Sequence, residues 1–157
     1  MHYFARFTLH QQHLFRLDTR IYLRECRSPA ADDPCIAAIV AKNPGSATPT
    51  QLDVLTELAL DGDKLLPTVR NRFVESFNQA GLQVPARTFV RVWNLVYLCN
   101  PKLAAAVKSF ASITRPLWCD SEGKCPKIVW FAWGPPNSRL DAYKQRFLSR
   151  EYQHAFY

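Results

Sequence analysis

Two asparagines of this 157-residue chain stand where an amide does chemistry: Asn43, opening Asn43-Pro44-Gly45-Ser46, and Asn94, inside the apolar run Phe89-Val90-Arg91-Val92-Trp93-Asn94-Leu95-Val96. An asparagine amide offers a donor and an acceptor on one planar group. In the first motif proline fixes the turn and removes a donor, while glycine lets the backbone approach a ligand. The plain alternative is a turn and nothing more. A buried amide must be paired, so Asn94 either ties down a neighbouring loop or presents its fork to the edge of a planar heterocycle. Trp93, Tyr97, Trp133 and Phe156 suit stacking on a base, although aromatics in strands more often fill the core. The familiar catalytic patterns are absent: no phosphate-binding glycine loop ending in Lys-Ser or Lys-Thr, no Gly-x-Ser-x-Gly elbow and no His-Glu-x-x-His helix. His2, His10, His13 and His154 belong to no recognisable constellation and read as surface or satisfied histidines.

The elements that must position these residues follow from the apolar pattern. Tyr3 to Glu25 alternates as strands and predicts an N-terminal β-hairpin. Ile36 to Val40 is a continuous apolar run, the signature of a strand covered on both faces. Thr48-Pro49-Thr50-Gln51 has the form of a capping box with proline at the first helical position, predicting a helix to about Leu60. A second helix is expected from Pro67 to Ala80, stopped by Gly81, and core strands at Thr88 to Val96 and Lys127 to Trp133. Further helices are expected from Lys102 to Ser112 and from Asn137 to about Arg150. The alternation predicts an α/β three-layer sandwich: a short, mostly parallel central sheet, helices on both faces, and the hairpin attached. Ligands then bind beyond the carboxyl ends of the strands, where Asn43 and Asn94 fall.

Composition bounds the rest. The length is that of one ordinary domain, 1–157, and 48% hydrophobic against 21% charged residues excludes a disordered tail. Twenty lysines and arginines against thirteen acids leave a net charge of +7, which suits a polyanionic partner and equally suits solubility. No apolar run reaches the roughly 20 residues of a membrane helix, and no signal-peptide core opens the chain, so a soluble cytoplasmic protein is expected. Five cysteines, an odd number, read as reduced thiols. Cys119 and Cys125 flank a polar turn and could bridge or bind metal, but their spacing is not that of a zinc knuckle and no histidine is near. Neither a metal nor another cofactor is expected.

The three strand exits together resemble the uracil-DNA glycosylase superfamily. Ala41-Lys42-Asn43-Pro44-Gly45 is similar to that family's Gly-x-Asn-Pro-Gly, with alanine for the first glycine. Trp93-Asn94-Leu95-Val96-Tyr97-Leu98-Cys99-Asn100-Pro101 resembles its Thr-Asn pattern, and Ile128 to Gly134 resembles a third strand ending in glycine. The chain is also similar to an uncharacterised bacterial family with an Asn-Pro-Ser-Thr-Ala turn at the first position. The resemblance implies a protein that acts on or recognises a modified or deaminated base in DNA, or a catalytically inactive nucleotide- or nucleic-acid-binding module of the same fold. By the same resemblance Asn43 positions the attacking water, and Asn94, with Gly45, Ser46, Trp93 and Tyr97, holds the flipped base. Lys42, Ser138 and Arg139 would contact phosphates. The family's His-Pro-Ser loop has no match here, which leaves His154 as the substitute for the group that stabilises the departing base. Some relatives hold an iron–sulfur cluster on four cysteines; the spacings of Cys26, Cys35, Cys99 and Cys119 depart from theirs, and no cluster is expected.

Overall fold

The computed structural model describes residues 1–60, 62–124 and 126–157. The chain begins with the hairpin: β1 (Tyr3–His10) and β2 (His13–Tyr22) pair antiparallel around Gln11 and Gln12, both with positive φ, as a two-residue turn demands. β3 (Cys35–Ala41), β4 (Leu55–Glu57), α1 (Leu65–Gln79), β5 (Phe89–Asn94), α2 (Leu103–Ser112), β6 (Ile128–Phe131), α3 (Asp141–Leu148) and β7 (His154–Phe156) follow.

All the strands join one seven-stranded sheet in the order β4-β1-β2-β5-β3-β6-β7. Its β4-β1-β2-β5 part is antiparallel and its β5-β3-β6-β7 part is parallel. This corrects the expected short, mostly parallel sheet. The hairpin is not an attachment: β2 pairs with β5 (Thr19 with Val92, Ile21 with Val90) and so carries the two longest strands into the central sheet. The alternation of strands and helices holds only from β3 onward, and a parallel sheet was inferred from that part alone.

The capping-box helix is a second correction. Residues 48–54 form no helix, 50–54 being bends, and Leu55–Glu57 pairs with β1 as an edge strand. Local signals favoured a helix, but Leu52 and Val54 are exposed and supply no apolar face to bury, whereas β1 offers unpaired backbone groups. Tertiary pairing overrides the local preference here.

β3 is buried on both faces, as its unbroken apolar run requires. Ala37, Ile39 and Ala41 meet Leu66 and Val69 of α1 on one face. Ala38 and Val40 meet Leu140 and Phe147, at and just before α3, on the other. α2 places Ala106 and Phe110, one helical turn apart, against Phe15, Leu17 and Val96.

Polar groups on the α3 face are closed into a network. Glu122 is buried and accepts from Tyr97 Oη (2.6 Å), Arg146 Nε (2.9 Å) and Arg150 Nη2 (3.3 Å). Removing one partner of such a buried ionic cluster costs about 3–5 kcal/mol, because the others are left uncompensated. Glu122→Ala is therefore expected to lower the melting temperature by roughly 10 °C, on the scale of 2–4 °C per kcal/mol for a chain of this size. A calorimetric scan checks this, and an unchanged midpoint would show that the cluster contributes nothing.

Candidate functional site

The ends of β3 and β5 stay paired after the regular strands stop. Leu95 N donates to Ala41 O (2.8 Å) and Val96 N to Lys42 O (3.1 Å), so the two chain exits leave the sheet side by side. From the opposite side of β5, Arg16 N donates to Tyr97 O (3.0 Å) and brings β2 to the same place. A cavity of about 280 Å3 opens there, lined by Asn43, Pro44, Gly45 and Ser46 from the first exit, Val92 and Asn94 from β5, and Arg16 from β2. Leu60, Asp63 and Leu65, leading into α1, close its outer side.

The two asparagines differ within it. Asn43 Nδ2 donates to Asn100 O at 2.8 Å, which ties the first exit loop to the segment after β5. Asn94 is wholly buried, yet neither Nδ2 nor Oδ1 has a hydrogen-bond partner among the described residues. Of the two readings for this amide, the loop tie is absent among the described residues, and Asn94 is one of the residues that line the cavity. Gly45 has φ +76°, with no atom within 4 Å of where a Cβ would stand, so the turn needs glycine for its backbone conformation and not for close packing.

Arg16 was not anticipated. Its exposure is only 3%, its Nε and Nη1 are buried without partners, and among the described residues it joins no carboxylate in an ion pair. Burial pulls its ionisation below the ordinary arginine value, with Cys99 and Asp63 acting in the opposite direction. Arginine nonetheless remains a cation in proteins. Burial pushes the Cys99 thiol up to about 11, against the pull of Arg16, so the thiol is neutral at pH 7 and supplies no countercharge. Asp63 Oδ1 is engaged by the backbone N–H groups of Leu65 (2.8 Å) and Leu66 (3.3 Å) at the start of α1. A sequence signal for Arg16 existed: it lies in a strand where Leu14 on its own face and Phe15 and Leu17 on the other are all apolar.

The remaining candidates are not brought to the cavity. Trp93 and Asn94 are consecutive in a strand, so their side chains take opposite faces. Trp93 is buried against Phe147 and donates from Nε1 to Ser121 Oγ (3.0 Å). Tyr97 is held by Glu122 in the α2 cluster. Both are core residues, and the expected base-stacking role has no support in their placement; the cavity's apolar walls are Pro44, Leu60, Leu65 and Val92, with no aromatic ring. Lys42 likewise turns away from Asn43, its Nζ reaching the Gly134 turn, while Ser138 and Arg139 are exposed at the approach to α3. His154 is exposed on β7, paired with Ile128, which pairs in turn with Ala37. That level is four residues, about 13 Å, before the end of β3, so His154 stands at the amino-terminal end of the parallel strands and cannot act at Asn43.

Among the described residues no three histidines, cysteines or acids gather as a metal site. Cys119 is buried, its Sγ 2.9 Å from Ser121 Oγ and accepting from Asp18 N (3.4 Å); Cys125 lies outside the described residues. No described helix is long and apolar enough to cross a membrane. A larger groove of about 550 Å3 runs between α1 and β6–β7, but among the described residues Arg72 and Ser76 are its only polar side chains beside apolar walls such as Phe73, Phe77 and Trp130. No protein-family model, curated protein or solved structure matches the chain.

A buried unpaired amide costs about 1–3 kcal/mol. Asn94→Leu is expected to keep the melting temperature within a few degrees of the parent or raise it, because no bond is lost. Asn43→Ala, which loses its bond to Asn100, is expected to cost about 1 kcal/mol. Thermal unfolding monitored by circular dichroism distinguishes the two, and a large loss in Asn94→Leu would make that residue a structural tie.

Proposed function

We propose that the cavity at the ends of β3 and β5 recognises a single heterocyclic base, and that the chain acts on or recognises a modified or deaminated base in DNA. The observation that carries this reading is the Asn94 amide, buried and unpaired, in one cavity with Asn43. Its fork matches the donor–acceptor edge of a planar ring. The size of the cavity agrees, since about 280 Å3 is below the usual ligand pocket of roughly 300–1,000 Å3 and suits one ring better than a dinucleotide. The net charge of +7 suits contact with phosphates. In a hydrolytic role Asn43 Oδ1, which its bond to Asn100 leaves unused, would orient the attacking water.

The position of His154 favours a second reading, a binding module that uses the same cavity without turnover. Incubation with single- and double-stranded oligonucleotides carrying uracil and other base lesions, followed by alkaline cleavage, separates them. Strand breaks that vanish in Asn43→Ala are the outcome expected of a glycosylase. Binding without breaks, weakening steeply as salt rises, supports the module. Neither breaks nor binding on any lesion would remove both readings.

A further inference from the structure

Elsewhere in this chain two acids each neutralise a pair of arginines, while the half-buried Arg6 and Arg70 keep an Nε without a partner. Arg20 and Arg91 share Asp18 (2.9 Å each), and Arg146 and Arg150 share Glu122. Arg16 is more deeply buried than any of these, and no ion pair to a described residue neutralises it. Taking a cation out of water is costly on the scale of the free energy that holds a domain folded. Arg16 meets that cost in a cavity lined by a second unpaired polar side chain, Asn94.

We propose that Arg16 is the specificity-determining residue of this cavity, and that the ring held there is bound through an imide edge carrying negative charge. The inference rests on the base-recognition reading above and names the ligand chemistry. A guanidinium has five N–H donors and no acceptor, so whatever faces it must present acceptors. Asn94 adds one donor and one acceptor. Together they match an edge on which a ring N–H or its neighbour faces Asn94 and a carbonyl or ionised oxygen faces Arg16. An amino group in place of that oxygen would set donor against donor. Inorganic phosphate satisfies Arg16, but its tetrahedral oxygens do not present the coplanar donor–acceptor edge that the Asn94 amide fork matches, which is why a ring is favoured over a phosphate. Among the described residues Asp63 is the acid that lines the cavity; its Oδ1 is taken by the α1 backbone, and it forms no ion pair with Arg16.

The test is calorimetric titration of the full chain with barbiturate, a six-membered imide ring ionised at neutral pH, and with uracil, cytosine and inorganic phosphate. Wild type, Arg16→Met, Arg16→Lys and Asn94→Leu are compared, each with its melting temperature. Wild type is expected to bind barbiturate at least tenfold tighter than uracil, and uracil at least tenfold tighter than cytosine. Arg16→Met is expected to stay folded, to lose at least tenfold in barbiturate affinity and to lose the preference for barbiturate. Arg16→Lys, which keeps the charge without the planar fork, should lose less. Should Arg16→Met fail to fold, the lysine variant carries the test through the same ratio. Ratios unchanged in a folded Arg16 variant would overturn the proposal while leaving base recognition standing. Phosphate binding as tight as barbiturate, with the same dependence on Arg16, would overturn it as well. No binding of any ring by wild type would remove the base-recognition reading itself.

Discussion

Strand β5 is paired antiparallel to β2 on one side and parallel to β3 on the other, and everything at the candidate site depends on that junction. Parallel pairing makes β3 and β5 end at the same edge, so Asn43 and Asn94 leave the sheet together. Antiparallel pairing runs β2 the other way, so the residues that begin β2 lie beside those that end β5. Arg16 is delivered to the carboxyl edge in this manner. A wholly parallel sheet would have set the start of every strand at the far edge and left the cavity with amides alone. The junction is held by backbone hydrogen bonds that continue beyond the strands on both sides, which makes the site a property of the sheet and not of mobile loops.

The two faces of the sheet handle buried polarity differently. Around Glu122 on the α3 face the polar groups have partners: Trp93 has Ser121, Tyr97 has Glu122, and Glu122 has two arginines. On the α1 face, at the carboxyl edge, Arg16 and Asn94 are buried with their bonding capacity unspent. The first arrangement stabilises the fold. The second is expensive to the free protein, a cost that the proposed ring would offset by giving both groups partners.

Much of this was legible in the residues. The unbroken apolar run of β3, the Asn-Pro-Gly exit and the polar Asn94 within an apolar strand pointed to one shared edge, and α1, α2 and α3 fall within a few residues of where periodicity set them. The opposed directions of Trp93 and Asn94 were legible too, since neighbours in a strand cannot face one ligand; a motif taken as a contiguous string hides this. What no local pattern reveals is which strands become neighbours. The union of the hairpin with the core sheet, the recruitment of Leu55–Glu57 to β1 and the arrival of Arg16 beside Asn94 all depend on pairings between distant segments, and a capping box at Thr48 has no means of registering the open edge of β1. His154 was sought where a motif would set it, while its strand register holds it at the other edge.

The central claim is that Arg16 and Asn94 contact one and the same ligand. Its most direct test follows the side-chain resonances of Arg16 Nε and Asn94 Nδ2 by nitrogen-edited NMR as barbiturate is added, with Arg146 Nε, already bonded to Glu122, as the internal reference. The account predicts that the Arg16 and Asn94 signals move along a single saturation curve while Arg146 stays still. Movement of only one of the pair, different midpoints for the two, or equal movement of Arg146 would contradict it.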